Sequence, residues 1–199
     1  NPAAPIDDAS YAAKEALLAQ QNLPVAFTLY AGIGPGTKPL SRDVPYKAYM
    51  GPSVGDLFFS TLEQLDATLA NYVGRAVSFH CEDPILLEKH KAASTHEARR
   101  PPECELSATR FALSVIEKYR LTGKLCHYSV GEGLPLIRAA KAKGLPVTAE
   151  VTPHHVFFDT AQITPVNRPS MQMNPPLRAP GDRQAMFEAL RDGTADYLA

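Results

Sequence analysis

The chain has 199 residues, 45% of them hydrophobic, enough to bury a substantial core as one domain or as part of a larger one. Its 20 basic and 21 acidic residues nearly cancel, which leaves no electrostatic footprint for nucleic acid or an anionic membrane and favours a small neutral or anionic substrate. No apolar run approaches the roughly 18 residues of a membrane span, and the first residues lack the basic flank and apolar stretch of a signal peptide, so the cytoplasm is the expected location. Cys81, Cys104 and Cys126 are odd in number and lack C-x-x-C spacing, which argues against a disulfide framework or a structural zinc knuckle. Cys81 and Cys126 are expected to be core thiols.

Short β-rich runs alternate with helical patterns, as in repeated βα units around a parallel sheet. The first predicted elements are a helix over Tyr11–Gln21 and strands at Leu23–Leu29 and Pro45–Met50. A capping box at Ser60-Thr61-Leu62-Glu63 then opens a helix running to about Tyr72. A strand at Arg75–His80 precedes helices at Pro84–Ala93 and Glu105–Arg120, followed by a strand at Lys124–Ser129. The series closes with a helix at Gly133–Lys143, a strand at Pro146–Val151, a helix at Asp182–Arg191 and a strand at Ala195–Ala199. Gly123, Gly144 and Gly193 stand where three of these helices should stop. The glycine-rich stretch Ala31–Lys38 lacks the Gly-Lys-Ser/Thr ending of a nucleotide loop and reads as a connection. Thr160–Pro180, rich in proline, reads as a lid or binding loop.

Two of the apolar strand-like runs bring a histidine towards their carboxyl ends, at Phe79-His80-Cys81-Glu82 and Cys126-His127-Tyr128. One strand-end histidine reads most simply as a cap or a hydrogen bond to a loop. The same placement one βα unit later points instead to a metal site at the carboxyl ends of parallel strands, because neutral imidazoles suit zinc. Lys47, within Pro45–Met50, would ordinarily be a solvated amine. A lysine whose pKa is lowered by burial can instead add to carbon dioxide, giving a carbamate that bridges two metals as a carboxylate would. Asn174-Pro175-Pro176-Leu177-Arg178 supplies an amide that can pair with an imide or ureide and a guanidinium that can pair with a carboxylate; its plainer reading is a rigid proline turn with a surface arginine. His154 and His155 are adjacent, so at most one can face the site from extended backbone, and both read as supporting groups. His90 and His96 are expected at the surface.

These residues carry a family resemblance. Lys47–Gly51 with Ser53-Val54-Gly55-Asp56, Phe79–Asp83, Arg100-Pro101-Pro102-Glu103, Cys126–Ser129, Glu150–His155, Asn174–Arg178 and Asp196–Ala199 resemble, in order, the central part of a dihydroorotase of the amidohydrolase superfamily. The resemblance implies an α/β fold, a TIM-type (β/α)8 barrel of the metal-dependent kind. Residues 1–199 would be one partial barrel domain, about strands three to eight. It implies two zinc ions, with Lys47 bridging them as a carbamate and His80 and His127 on the second. Asn174, and less directly Arg178, would bind the substrate. The implied reaction is the reversible, zinc-dependent hydrolysis of dihydroorotate to N-carbamoyl-L-aspartate in pyrimidine (UMP) biosynthesis. The alternatives are an allantoinase or dihydropyrimidinase acting on another cyclic ureide, and a non-catalytic dihydroorotase-like scaffold.

The family's His-x-His-x-Arg and its Thr-Asp-His after the last strand, with the metal-binding and proton-shuttling aspartate, are not found here. Asn1-Pro2 resembles the remnant of the segment that follows the first motif. An internal portion of a longer enzyme is therefore expected, inactive by itself. The expected partner is a small-molecule substrate, with no nucleic acid or membrane. Oligomeric state is left open, a homo-oligomer included.

Overall fold

The computed structural model describes residues 4–21, 23–53 and 55–199. Asn1-Pro2 and Val54, which enter the resemblance above, lie outside the described residues. Six parallel strands pair in chain order: β1 (Ala31–Ile33), β2 (Tyr46–Tyr49), β3 (Ala76–His80), β4 (Thr122–Leu125), β5 (Val147–Val151) and β6 (Tyr197–Leu198). Around them run α1 (Asp8–Ala19), α2 (Leu62–Leu69), α3 (Pro84–His90), α4 (His96–Arg99), α5 (Pro102–Lys118), α6 (Leu134–Ala142), α7 (Pro153–Phe157) and α8 (Pro180–Arg191). Strand after strand in sequential parallel order, with a helix after most, is the βα arrangement of a (β/α) barrel, here with β1 and β6 as the two sheet edges. Among the described residues no helix is long and apolar enough to cross a membrane.

Strand alternation divides the sheet into two faces. Tyr46, Ala48, Phe79, Leu125 and Ala149 point to the helices and share one buried core with Leu65, Ala108, Ala112, Ile116, Ile137 and Met186. The register sets Lys47 beside Ser78, Ser78 beside Lys124, Lys124 beside Thr148, and Tyr49 beside His80. The opposite, barrel-interior face is therefore polar, and it is where chemistry can be built.

Several predicted boundaries move. Leu23–Leu29 forms no strand: Pro24 lacks a ladder donor, most of the run is exposed, and β1 begins two residues later, in the stretch expected to be a connection. Gly32 belongs in that strand because a Cβ there would meet Leu57 Cδ2 at 2.3 Å. No helix joins β1 to β2. The link is held instead by the Tyr46 hydroxyl, which accepts from Leu40 N at 2.8 Å, and by Tyr72, whose hydroxyl donates to Thr37 Oγ1 at 2.8 Å while its ring meets Tyr46 edge-on. The α2 cap falls one residue late, on Thr61, which accepts from Gln64 N, and the helix stops at Leu69. Gly144 and Gly193 take positive φ just beyond α6 and α8, as expected. Gly123 does not terminate α5: it lies inside β4, where a Cβ would sit 2.2 Å from Ile116 Cδ1, and Arg120 makes the left-handed turn after α5.

Candidate functional site

The strand predicted to carry His127 to its end stops at Leu125, two residues short of it. Continued alternation would have placed His127 on the helix side with Gly123 and Leu125. His127 instead adopts φ 40°, a left-handed conformation that histidine tolerates better than most residues. The sheet ladder holds this turn on both sides, Cys126 N donating to Phe79 O at 3.0 Å and Tyr128 N to Glu150 O at 2.6 Å. The Glu150 carboxylate pins the turn itself, accepting from His127 N at 3.2 Å and from Lys124 Nζ at 2.8 Å. His127 is thereby re-aimed to the interior face, where its Nε2 lies 3.1 Å from His80 Nδ1.

Both imidazoles are held well below the ordinary histidine pKa. For His80 the main cause is burial, with the Lys47 and Arg100 cations adding to it. For His127 it is again burial, then His80 and Lys47. Each is therefore a neutral imidazole at neutral pH, the form that ligates metal. A ring nitrogen pair this close must share a proton or a cation. Two nitrogens bound to one tetrahedral zinc at about 2.0–2.1 Å lie about 3.3 Å apart, so the pair fits that ion. His127 Nδ1 is buried without a hydrogen-bond partner among the described residues. Those residues hold no cluster of three or more His, Cys, Asp or Glu side chains suited to a metal, so a four-coordinate ion here needs more than the two imidazoles.

Lys47 is half-buried on the same interior face, its Nζ 5.3 Å from the centre of the Tyr49 ring, which in turn lies 5.5 Å from that of His80. The structure thus brings Lys47, His80 and His127 into one neighbourhood. Asn174 is half-buried and reaches Ser53 Oγ at 3.4 Å. It also lines a cavity of about 340 Å³ with Pro52, His96, Arg99 and Arg100. Arg178 is not a surface group. Its side chain is 3% exposed, pairs with Glu105 at 3.2 Å, and donates to Ser129 Oγ and the Arg100 carbonyl.

The supporting residues are more numerous than sequence reasoning foresaw. His96, expected at the surface, is half-buried and bonds the Met173 carbonyl at 2.8 Å, next to Asn174; His90 is also half-buried and bonds Glu103. His155 is buried, with Nε2 donating to the Pro175 carbonyl at 3.1 Å and Nδ1 accepting from Thr152 Oγ1 at 2.8 Å. That leaves the Thr152 oxygen to accept from His154 Nε2 at 2.9 Å, so one ordered chain of hydrogen bonds ties the start of α7 to the Asn174 turn. Burial lowers the His155 pKa to about 3, which keeps this ring neutral. His155→Phe keeps the ring but strands the Pro175 carbonyl, and should cost about 1–3 kcal/mol in chemical denaturation. Glu82 and Glu150 were legible only as members of the quoted motifs, because nothing in a linear sequence says which way a carboxylate turns.

No family model matches the chain. Over 64% of its length it is 35% identical to a dihydroorotase of Bacillus licheniformis and 38% identical to one of Staphylococcus aureus, in each case over 31% of the relative. The chain thus spans about a third of the length of the curated relatives it matches. In fold it is similar to an L-hydantoinase (dihydropyrimidinase) from Arthrobacter aurescens, with a TM-score of 0.81 at 24% identity, covering all of this chain and 47% of that one. An inactive dihydroorotase-like domain of a Chaetomium thermophilum CAD-like multifunctional protein gives 0.63 at 14% identity, covering all of this chain and 50% of that one. The chain is thus similar to part of a dihydroorotase over 64% of its length, and its sequential parallel βα order is that of an incomplete TIM-type barrel, a fold it shares with the hydantoinase and the dihydroorotase-like domain.

Proposed function

We propose that this chain supplies the central strands of a zinc-dependent dihydroorotase, hydrolysing the cyclic amide of dihydroorotate to N-carbamoyl-L-aspartate in cytoplasmic pyrimidine synthesis. The observation that carries the reading is the buried pair His80 Nδ1 and His127 Nε2, 3.1 Å apart on the interior face beside Lys47. The 35–38% identity to dihydroorotases favours that substrate over hydantoins, whose enzymes share the fold at lower identity. Three buried free thiols suit a reducing compartment.

His80 and His127 would hold one zinc ion, and Lys47, as a carbamate, would bridge it to a second. Zinc, when bound, polarises the scissile carbonyl and lowers the pKa of a water. The chain's own residues hold the imidazoles neutral and aimed, through burial and the Glu150 contact to His127 N. Asn174 would present its amide to the ring ureide, on a turn fixed by His155 and His96.

The test is turnover by the complete protein of dihydroorotate, allantoin, dihydrouracil and hydantoin, with zinc content measured on the same sample. Turnover of dihydroorotate above the other three, with about two zinc ions per chain, is expected. Preference for another ureide would move the reading to a hydantoinase-type enzyme. A folded protein with neither zinc nor turnover would make it a scaffold.

A further inference from the structure

Glu82 and Arg100 belong to sequence motifs that the proposed chemistry leaves without a task. Glu82 lies two residues beyond His80, and its carboxylate is fully buried. Its Oε2 meets His80 Nε2 at 2.8 Å, and the same oxygen takes a short contact from the Arg100 guanidinium. Arg100 is itself tethered, donating to the Pro52 carbonyl at 2.6 Å. The other oxygen, Oε1, is buried with no partner among the described residues. A carboxylate placed in the interior for stability would have both oxygens satisfied, since an unpaired buried oxygen is costly. This one spends its hydrogen bonds on a histidine ring and on the cation that balances its charge.

An ionised carboxylate only accepts hydrogen bonds, so the ring proton of His80 must sit on Nε2, and Nδ1 is left as a bare lone pair. Nδ1 is the nitrogen that faces His127 Nε2. We propose that Glu82, balanced by Arg100, is a positioning residue that locks His80 in the Nε2–H tautomer and so presents Nδ1 to a metal ion. Arg100 is integral to the device because its guanidinium pairs with the same Glu82 oxygen that meets His80. The inference rests on reading His80 as a metal ligand.

The experiment uses the complete protein stripped of metal, and measures zinc affinity by competition with a chromogenic chelator for wild type, His80→Ala and Glu82→Gln. Glutamine keeps the volume but can present its amide either way, freeing the tautomer. Loss of a carboxylate behind a metal-ligating histidine typically weakens metal binding about 10–100-fold, and that is the loss expected for Glu82→Gln. An affinity within about twofold of wild type, with His80→Ala still weakened, would overturn the role of Glu82 and leave the metal reading standing. No zinc binding by wild type, or none lost in His80→Ala, would overturn the metal reading and the inference with it. Should Glu82→Gln fail to fold, the ¹⁵N spectrum of histidine-labelled, metal-free wild type decides, with His80 assigned by its loss in His80→Gln. An Nε2–H pattern for His80 supports the proposal, and an Nδ1–H pattern overturns it.

Discussion

Lys47→Ala in the complete protein is expected to lower kcat/KM for dihydroorotate by about a thousandfold or more and to reduce bound zinc from about two ions to one or none. A metal centre contributes several kcal/mol to transition-state stabilisation, and each ~1.4 kcal/mol is tenfold in rate. The position supports so large an effect. Lys47 lies in mid-strand on β2, with its amine on the interior face above Tyr49 and near both imidazoles, whose charged forms it disfavours. Lys47→Arg separates charge from chemistry: it keeps a cation and cannot form a carbamate, so it should be as inactive as the alanine variant. Growth with ¹³C-labelled bicarbonate gives a direct reading, a carbamate resonance in wild type that both variants lack. Full activity in Lys47→Arg would end the bridging role.

Arg178→Met should destabilise the protein by roughly 3–5 kcal/mol, because it leaves the Glu105 carboxylate buried without its counter-charge. Glu105 is almost fully enclosed, held by Arg178, the Ser129 hydroxyl and Ser129 N. Burial pushes its pKa up to about 7 even with Arg178 opposing. A carboxyl raised above its unfolded value contributes stability that is fully present below the unfolded pKa and declines as pH rises through the folded one. Removing Arg178 raises the folded pKa further, so the variant keeps losing stability at pH values where wild type has levelled off. The deficit in urea unfolding should therefore be larger at pH 8.5 than at pH 6. The same variant bears on the substrate role that the Asn-Pro-Pro-Leu-Arg segment suggests. If the guanidinium bound a substrate carboxylate, KM would rise with stability unchanged. A pH-dependent stability loss marks it as the tie between α5 and the Asn174 turn.

The sequence by itself determined the parallel βα order and five of the six strands to within a few residues, and it singled out Lys47, His80, His127 and Asn174 as candidates. These are legible because alternation, helix periodicity and motif order are local properties of the chain. What it could not determine was direction. Period-two alternation assigns His127 to the helix side, and only the left-handed turn at φ 40°, held by Glu150 and by the β3 and β5 backbones, carries it to His80. Arg178 looks like a surface guanidinium until Glu105, 73 residues earlier, is seen to lie against it. Gly32 and Gly123 look like turn residues and are instead strand positions where a Cβ would crowd the Leu57 and Ile116 side chains. Each of these depends on a partner distant in sequence, whose approach is fixed by packing the helices on one face of the sheet. The tertiary structure alone therefore decided which polar groups are buried together, and with that which of them can carry chemistry.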